Sequence, residues 1–143
     1  MQVSEILTRE VETIGPDTSA REAAQRMRSM DVGSLPVCDG RRLLGMVTDR
    51  DLTLRILAEG RDPNATPVQD AMTPDVAYAF EDDDVQRAAD IMKERQIRRL
   101  PIVNREKHLV GILAIGDIAT HATDQLSGDT LEKVSQPTHS QPS

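Results

Sequence analysis

Apolar residues crowd into short runs along this chain. "LPVCD" (35–39) and "LLGMVT" (43–48) each have the length of a strand, and Asp39-Gly40 between them suits a hairpin turn. "LPIVN" (100–104) and "LVGILA" (109–114) repeat that arrangement, with Asn104 at the turn. Shorter runs, "VETI" (11–14) and "VAYA" (76–79), predict one more strand ahead of each hairpin. Elsewhere the period changes. Ala20, Ala23, Ala24 and Met27 fall at i, i+3, i+4 and i+7, one face of a helix, and Val85, Ala88, Ala89 and Met92 do the same. Ser19-Ala20-Arg21-Glu22 reads as a capping box for the first helix, and Asp84 as the N-cap of the second. Glu81, Asp82 and Asp83 stand where a helix dipole favours acids, a role that outweighs a metal site. A last helix is predicted in each half, over 49–59 (Leu52, Leu54, Ile56 and Leu57 its apolar positions) and 116–126.

The two halves are copies of one unit. Leu35-Pro36-Val37 recurs as Leu100-Pro101-Ile102, 65 residues on, and Thr8, Val11, Ala23-Ala24 and Met27 recur at the same offset. After the hairpin turn the offset becomes 66, matching Gly45 to Gly111 and Asp51 to Asp117. A duplication on this scale decides the architecture. The reading is an α/β (α+β) fold of two βαββα repeats about a pseudo-two-fold axis: repeat 1 over 1–60, a linker over 61–67 and repeat 2 over 68–126. A polar, Pro-containing tail over 127–143 is expected to be disordered at its end. Each repeat is too small for a robust core of its own, so the two are expected to pack together.

Charge and composition narrow the function. The chain carries 17 basic against 24 acidic residues, a net charge of −7, which argues against a nucleic-acid binder. Tyr78 and Phe80 are its two aromatic residues, too few for a stacking platform. Cys38 is the single cysteine, most simply a small buried apolar group, and His108, His121 and His139 lack metal-ligand spacing. There is no P-loop, dinucleotide fingerprint or nucleophile motif, so an enzyme is not expected. The opening residues are too polar for a signal peptide, and no apolar run approaches ~18 residues, so a cytoplasmic protein without membrane association is the expectation.

The paired "LPV" and "LPI" strands, with "GMVTDRD" and "GILAIGD" after them, resemble a tandem pair of cystathionine-beta-synthase-type (CBS) domains, over roughly residues 3–126. The resemblance implies two halves packed through their sheets, with two clefts between them. It also implies further association into a homodimer and, in many relatives, binding of AMP, ADP, ATP or S-adenosylmethionine as a regulatory ligand.

The family motif is a Gly, two residues, a Ser or Thr, two residues and an Asp. Gly45-Met46-Val47-Thr48-Asp49-Arg50-Asp51 fits it. Asp51 could accept hydrogen bonds from both ribose hydroxyls, Thr48 could reach a phosphate at the start of the helix, and Arg50 could add charge-assisted bonds. Thr48-x-x-Asp51 is equally a capping box that needs no ligand. In the second copy Ala114 replaces Thr48 and Gly116 replaces Arg50, while Asp117 persists. Ala114 cannot cap with its side chain, so a box is not expected to explain Asp117, although the helix dipole could.

Arg98-Arg99 stand where the first copy has Gly33-Ser34, and basic residues at this place in relatives often reach phosphates. In that role one should face the ligand and the other turn away, since strand neighbours alternate; the alternative is an exposed pair at a strand entry, solvating an edge or meeting the acids at 81–84. Aliphatic groups such as Ile6, Val11, Val76, Ile97 and Ile115, with Pro36 and Pro101, would sandwich an adenine, and Thr8 and Thr73 could approach it. The leading expectation is a sensor of adenine nucleotides, read by a separate effector protein. A ligand-free homodimeric scaffold and an S-adenosylmethionine-binding module are the alternatives.

Overall fold

The computed structural model describes residues 1–122. The tail at 127–143 and the end of the helix expected over 116–126 lie outside the described residues. The chain forms two compact units. One contains Met1–Arg9, Ala77–Asn104 and the described residues from Val110 on; the other contains Glu10–Val76 and Arg105–Leu109.

In the second of these, helix α1 (Ala20–Met30) leads to strands β1 (Ser34–Asp39) and β2 (Arg42–Thr48). The two strands pair antiparallel from Ser34↔Thr48 to Asp39↔Arg42, with a bulge between Val37 and Cys38. Gly40, at φ 61°, closes the hairpin in the left-handed region that glycine occupies without strain. Short β3 (Thr73–Pro74) pairs antiparallel with the far side of β2, and Ile14 makes a parallel bridge to Val37 on the open side of β1. Ile14, Ala20, Ala23, Met27, Leu35, Val37, Val47, Ile56, Val68 and Ala71 form the core. Cys38 is buried, and burial pushes its thiol up to about 11, so it stays protonated and unreactive near neutral pH.

The other unit repeats this plan. Strands β4 (Ala79–Phe80), β5 (Arg99–Val103) and β6 (Leu109–Ala114) form a sheet in the order β4-β5-β6, with α3 (Val85–Arg95) against it. β4 runs parallel to β5, as Ile14 does to β1. Thr8 bridges Ile112 on the far side of β6, as Thr73 does Met46 on β2. Val3, Ala79, Ala88, Met92, Leu100, Ile102 and Leu113 form this core.

These correspondences show that compact unit and sequence repeat differ. The segment ahead of repeat 1, with a 3-10 turn at Val3–Glu5 and then Thr8, joins the sheet built from repeat 2. The segment ahead of repeat 2, with a 3-10 turn at Val68–Asp70 and then Thr73, joins the sheet built from repeat 1. Val3 and Val68 are fully buried anchors, each making the first apolar contact of its segment. The strands expected at 11–14 and 76–79 are correspondingly short and late. After Thr8 or Thr73 the chain must leave one sheet before it can enter the other, so pairing begins only at Ile14 and Ala79.

Helix starts follow the sequence with one change. Ser19 Oγ accepts from the Glu22 N–H at 3.1 Å, but the Glu22 carboxylate takes the Arg26 guanidinium at 2.8 Å and does not close the box. The next free N–H groups of α1 donate to the linker, Ala20 to the Thr66 carbonyl and Arg21 to the Pro63 carbonyl. Residues 61–67 are therefore docked on α1 as its cap. Asp84 caps α3 through the Gln86 N–H at 2.9 Å; this backbone bond, with the terminal ammonium at 3.2 Å, holds its carboxyl below the usual range. Of the apolar face of α1, Ala24 is exposed while Ala20, Ala23 and Met27 are buried.

Candidate functional site

Each repeat turns from its last long strand into a helix, and the candidate residues cluster at these two turns. At the first, Thr48 ends β2 and caps α2 (Asp49–Leu52). Its Oγ1 accepts from the Asp51 N–H at 3.0 Å, and Asp51 Oδ2 accepts from the Thr48 N–H at 2.9 Å. The capping box is complete. It uses the Thr48 hydroxyl and one oxygen of Asp51, leaving Oδ1 without a hydrogen bond among the described residues. Asp49 Oδ1 accepts from the Arg50 N–H at 2.8 Å, the Asp49 N–H donates to the Gly33 carbonyl at 2.9 Å, and the Arg50 side chain is exposed.

The single helix expected over 49–59 widens after Leu52 into a π turn (Thr53–Leu57), in which the Ala58 N–H reaches the Thr53 carbonyl at 2.8 Å. Thr53 Oγ1 donates back to the Asp49 carbonyl at 2.9 Å, the kind of side-chain competition that bends helices. Arg55 Nη1 then donates to the Ala71 and Met72 carbonyls, 3.0 Å each, tying this helix to the chain entering β3.

At the second turn Ala114 ends β6 and a helix covers 115–122. Ala114 brings no hydroxyl, yet Asp117 Oδ2 accepts from the Ala114 N–H at 2.9 Å. This corrects the expectation that a box cannot account for Asp117. The reciprocal half needs only a backbone N–H, and alanine has one. The Ile115 N–H donates to the Arg98 carbonyl at 2.8 Å, the counterpart of the Asp49–Gly33 bond. That bond sets the Arg98 backbone against Ile115, at the turn that also carries Ala114 and Asp117. Arg98 is exposed, Arg99 half-buried at the start of β5, Pro101 buried within β5, and Ile115 45% exposed.

The structure thus groups Arg98, Arg99, Pro101, Ala114, Ile115 and Asp117 in one unit and Thr48, Arg50 and Asp51 in the other. The two turns differ in charge. At the first, the Asp49 carboxylate lies so close to Gly33 that a Cβ there would be 3.2 Å from Oδ2. At the second, the equivalent pair is Arg98 and Ile115, so this turn has a cation in place of Gly33 and no acid in place of Asp49. Ile6 and Ile97 pack on the core of the unit that contains the second turn, whereas Tyr78 meets Phe80 edge-to-face at 5.6 Å.

Sequence reasoning missed why the turns are so tightly held. Thr8 exchanges two backbone hydrogen bonds with Ile112, 2.9 Å each, and so crosses β6 at Gly111. The available signal was a glycine at the same place in two otherwise apolar strands, a mark of close backbone approach.

Among the described residues no group of three or more His, Cys, Asp or Glu could hold a metal ion, and no helix is long and apolar enough to cross a membrane. Comparison with known proteins agrees with the fold. The chain is 38% identical over 134 residues to the CBS domain-containing protein YhcV of Bacillus subtilis, covering 93% of this chain and 94% of that protein. The crystal structure of CBSX2 in complex with AMP superimposes with a TM-score of 0.76 at 26% identity, covering 86% of this chain and 97% of the other. The CBS domain pair of MJ0100, in complex with 5'-methylthioadenosine and S-adenosyl-L-methionine, gives 0.73 at 28%, covering 87% and 98%. The CBS domain model matches residues 3–58 and 68–124, and with both sheets built to one plan the chain belongs to the CBS-domain family, as a tandem pair.

Proposed function

We propose that this chain is a regulatory module that binds an adenine nucleotide (AMP, ADP or ATP) at its second turn and, as a homodimer, passes the signal to a separate effector without catalysing a reaction. One observation carries this reading: the Arg98 carbonyl accepts from the Ile115 N–H, so the residue that brings the guanidinium adjoins, at its backbone, the turn that also carries Asp117. An exposed cation and a carboxylate whose second oxygen has no hydrogen bond among the described residues, on one turn, suit the two ends of a ribosyl phosphate. Arg98 takes the phosphate by charge-assisted bonds, with Arg99 beside it, and Asp117 accepts from the ribose hydroxyls. Ile115, exposed, and Ile97 offer apolar surface to the base. The first turn, with Asp51 and Arg50, is a weaker candidate for a second nucleotide, since its Thr48 hydroxyl already accepts the Asp51 N–H. The AMP complex of CBSX2 supports the nucleotide class.

S-adenosylmethionine is the second reading, favoured by the MJ0100 complex. Its sulfonium is cationic and would meet Arg98 and Arg99, which weighs against it here. The complete capping box at the first turn favours a ligand-free scaffold, in which both acids serve only the helix starts.

Calorimetric titration with AMP, ATP, adenosine and S-adenosylmethionine separates these readings. AMP is expected to bind, and at about a hundred times its Kd to stabilise the fold by roughly 2.7 kcal/mol through mass action. Arg98→Ala is expected to weaken AMP about tenfold or more, the loss of a hydrogen bond to a charged group, and to leave adenosine unchanged. An absence of heat and of thermal shift with every nucleotide selects the scaffold. Tighter binding of S-adenosylmethionine than of AMP selects the second reading.

A further inference from the structure

The two hairpin tips meet in one unit. Residues 105–109, which run from the turn after β5 to the first residue of β6, belong to the compact unit of Glu10–Val76. Arg42 and His108 form an antiparallel bridge, the Leu109 N–H donates to the Arg41 carbonyl at 2.8 Å, and the Leu43 N–H donates to the Lys107 carbonyl at 3.2 Å. This zipper gathers Arg41, Arg42, Arg105 and Lys107 at one place, with Asp39 and Glu106 as the acids on the same tips. Arg41, Arg42 and Arg105 are exposed. Elsewhere the balance is reversed, since the whole chain carries 17 basic and 24 acidic residues.

A second feature sets this place apart. Lys107 has φ 64°, the left-handed region that favours glycine or asparagine. The first hairpin puts Gly40 in that conformation, at φ 61°. The second hairpin spends backbone strain there and gains a cation.

The geometry points to the joined hairpin tips as a docking surface for a short acidic peptide segment of a partner protein. Arginines receive carboxylates in paired hydrogen bonds, and the tips present several cations within a few residues' reach. An extended acidic hexapeptide spans about 20 Å, room for several of these cations to be met along its length. A nucleic acid fits less well. It would run past the tips onto a net acidic protein, beyond a Debye length of about 8–10 Å, and the tips carry no Phe, Tyr or Trp ring for a base to stack on. Peptide binding here requires no nucleotide, so its failure leaves the reading of the second turn intact.

The test is fluorescence anisotropy on the full chain at low salt, with fluorescein-labelled hexaglutamate and a labelled twenty-residue oligothymidylate as probes. Hexaglutamate is expected to bind, and more tightly than the oligonucleotide. Replacing Arg41→Ala, Arg42→Ala and Lys107→Gly together is expected to weaken it about tenfold, the sum of three modest exposed ion pairs. Arg28→Ala, on α1, is expected to change nothing. Lys107→Gly alone should hold or raise the melting temperature, because glycine relieves the left-handed residue, while still weakening the probe. That pairing separates lost recognition from lost folding. No binding of hexaglutamate, equal binding by the triple variant, or tighter binding of the oligonucleotide overturns the proposal.

Discussion

Gly111→Ala is expected to lower the melting temperature by about 10 °C, a loss on the order of 3 kcal/mol for a chain of this size. A Cβ at Gly111 would overlap the Thr8 carbonyl oxygen and the Leu7 side chain, and would sit 3.1 Å from the Thr8 carbonyl carbon. Leu7 can turn away, but Thr8 cannot. Its carbonyl accepts from the Ile112 N–H and its own N–H donates to the Ile112 carbonyl, and both bonds would break if the segment withdrew. Val3, fully buried five residues earlier, holds the same segment from its other end. The methyl group therefore either strains two bonded backbones or lifts Thr8 off the sheet.

Gly45→Ala makes the matching prediction for the other unit, where the overlap is with the Thr73 carbonyl oxygen and Pro74 Cα lies 3.2 Å away. Gly15→Ala is the control. Nothing lies within 4 Å of a Cβ there, so the change should be near neutral or stabilise by roughly 0.4–1 kcal/mol through the unfolded chain. Thermal unfolding followed by circular dichroism measures all three. A Gly111→Ala protein that melts with the wild type would mean that Thr8 does not cross β6 where the structure puts it.

The duplication, both hairpins, both long helices and their N-caps were legible because each is written in local residues. A helix face needs i, i+3 and i+4, and a cap needs one polar side chain, so neighbours suffice. The exchange of leading segments was not legible. Val3 and Val68 announce that something apolar is buried, but an apolar residue carries no address for the sheet it will join. Only Gly45 and Gly111 hinted at it, and a strand glycine names a close approach without naming the approaching chain. The first strands were overcalled for the same reason: "VETI" and "VAYA" have strand composition, but their leading residues are spent in passing from one sheet to the next.

At the turns, the hairpin register alone is enough to bring Arg98 beside Ile115, since it places the start of one strand against the end of its partner. The local bond at Asp117 was misjudged because the reasoning followed side chains. Ala114 lost a hydroxyl relative to Thr48, but the acceptor half of the box depends on the backbone that every residue except proline retains.

That bond shapes the most informative substitution at the second turn. Asp117→Asn is expected to weaken AMP at least tenfold while leaving the fold nearly unchanged. An asparagine oxygen can still accept from the Ala114 N–H at the place Asp117 Oδ2 now occupies, so the helix start keeps its partner. The variant loses the charge. Its second position becomes an NH2, a donor facing the ribose hydroxyls in place of an anionic acceptor, and a hydrogen bond to a charged group is worth about 1.5–3 kcal/mol. The pattern across ligands identifies the contact. Asp117→Asn should weaken AMP and adenosine together, because both carry the ribose, whereas Arg98→Ala should weaken AMP alone. Wild-type protein should correspondingly bind 2'-deoxy-AMP less tightly than AMP. Equal AMP affinity in wild type and Asp117→Asn, at matched melting temperatures, would remove the ribose role and return Asp117 to the helix it caps. Weakening of AMP with adenosine unaffected would instead place the carboxylate near the phosphate end, acting through Arg98, which is bonded at its backbone to the same turn.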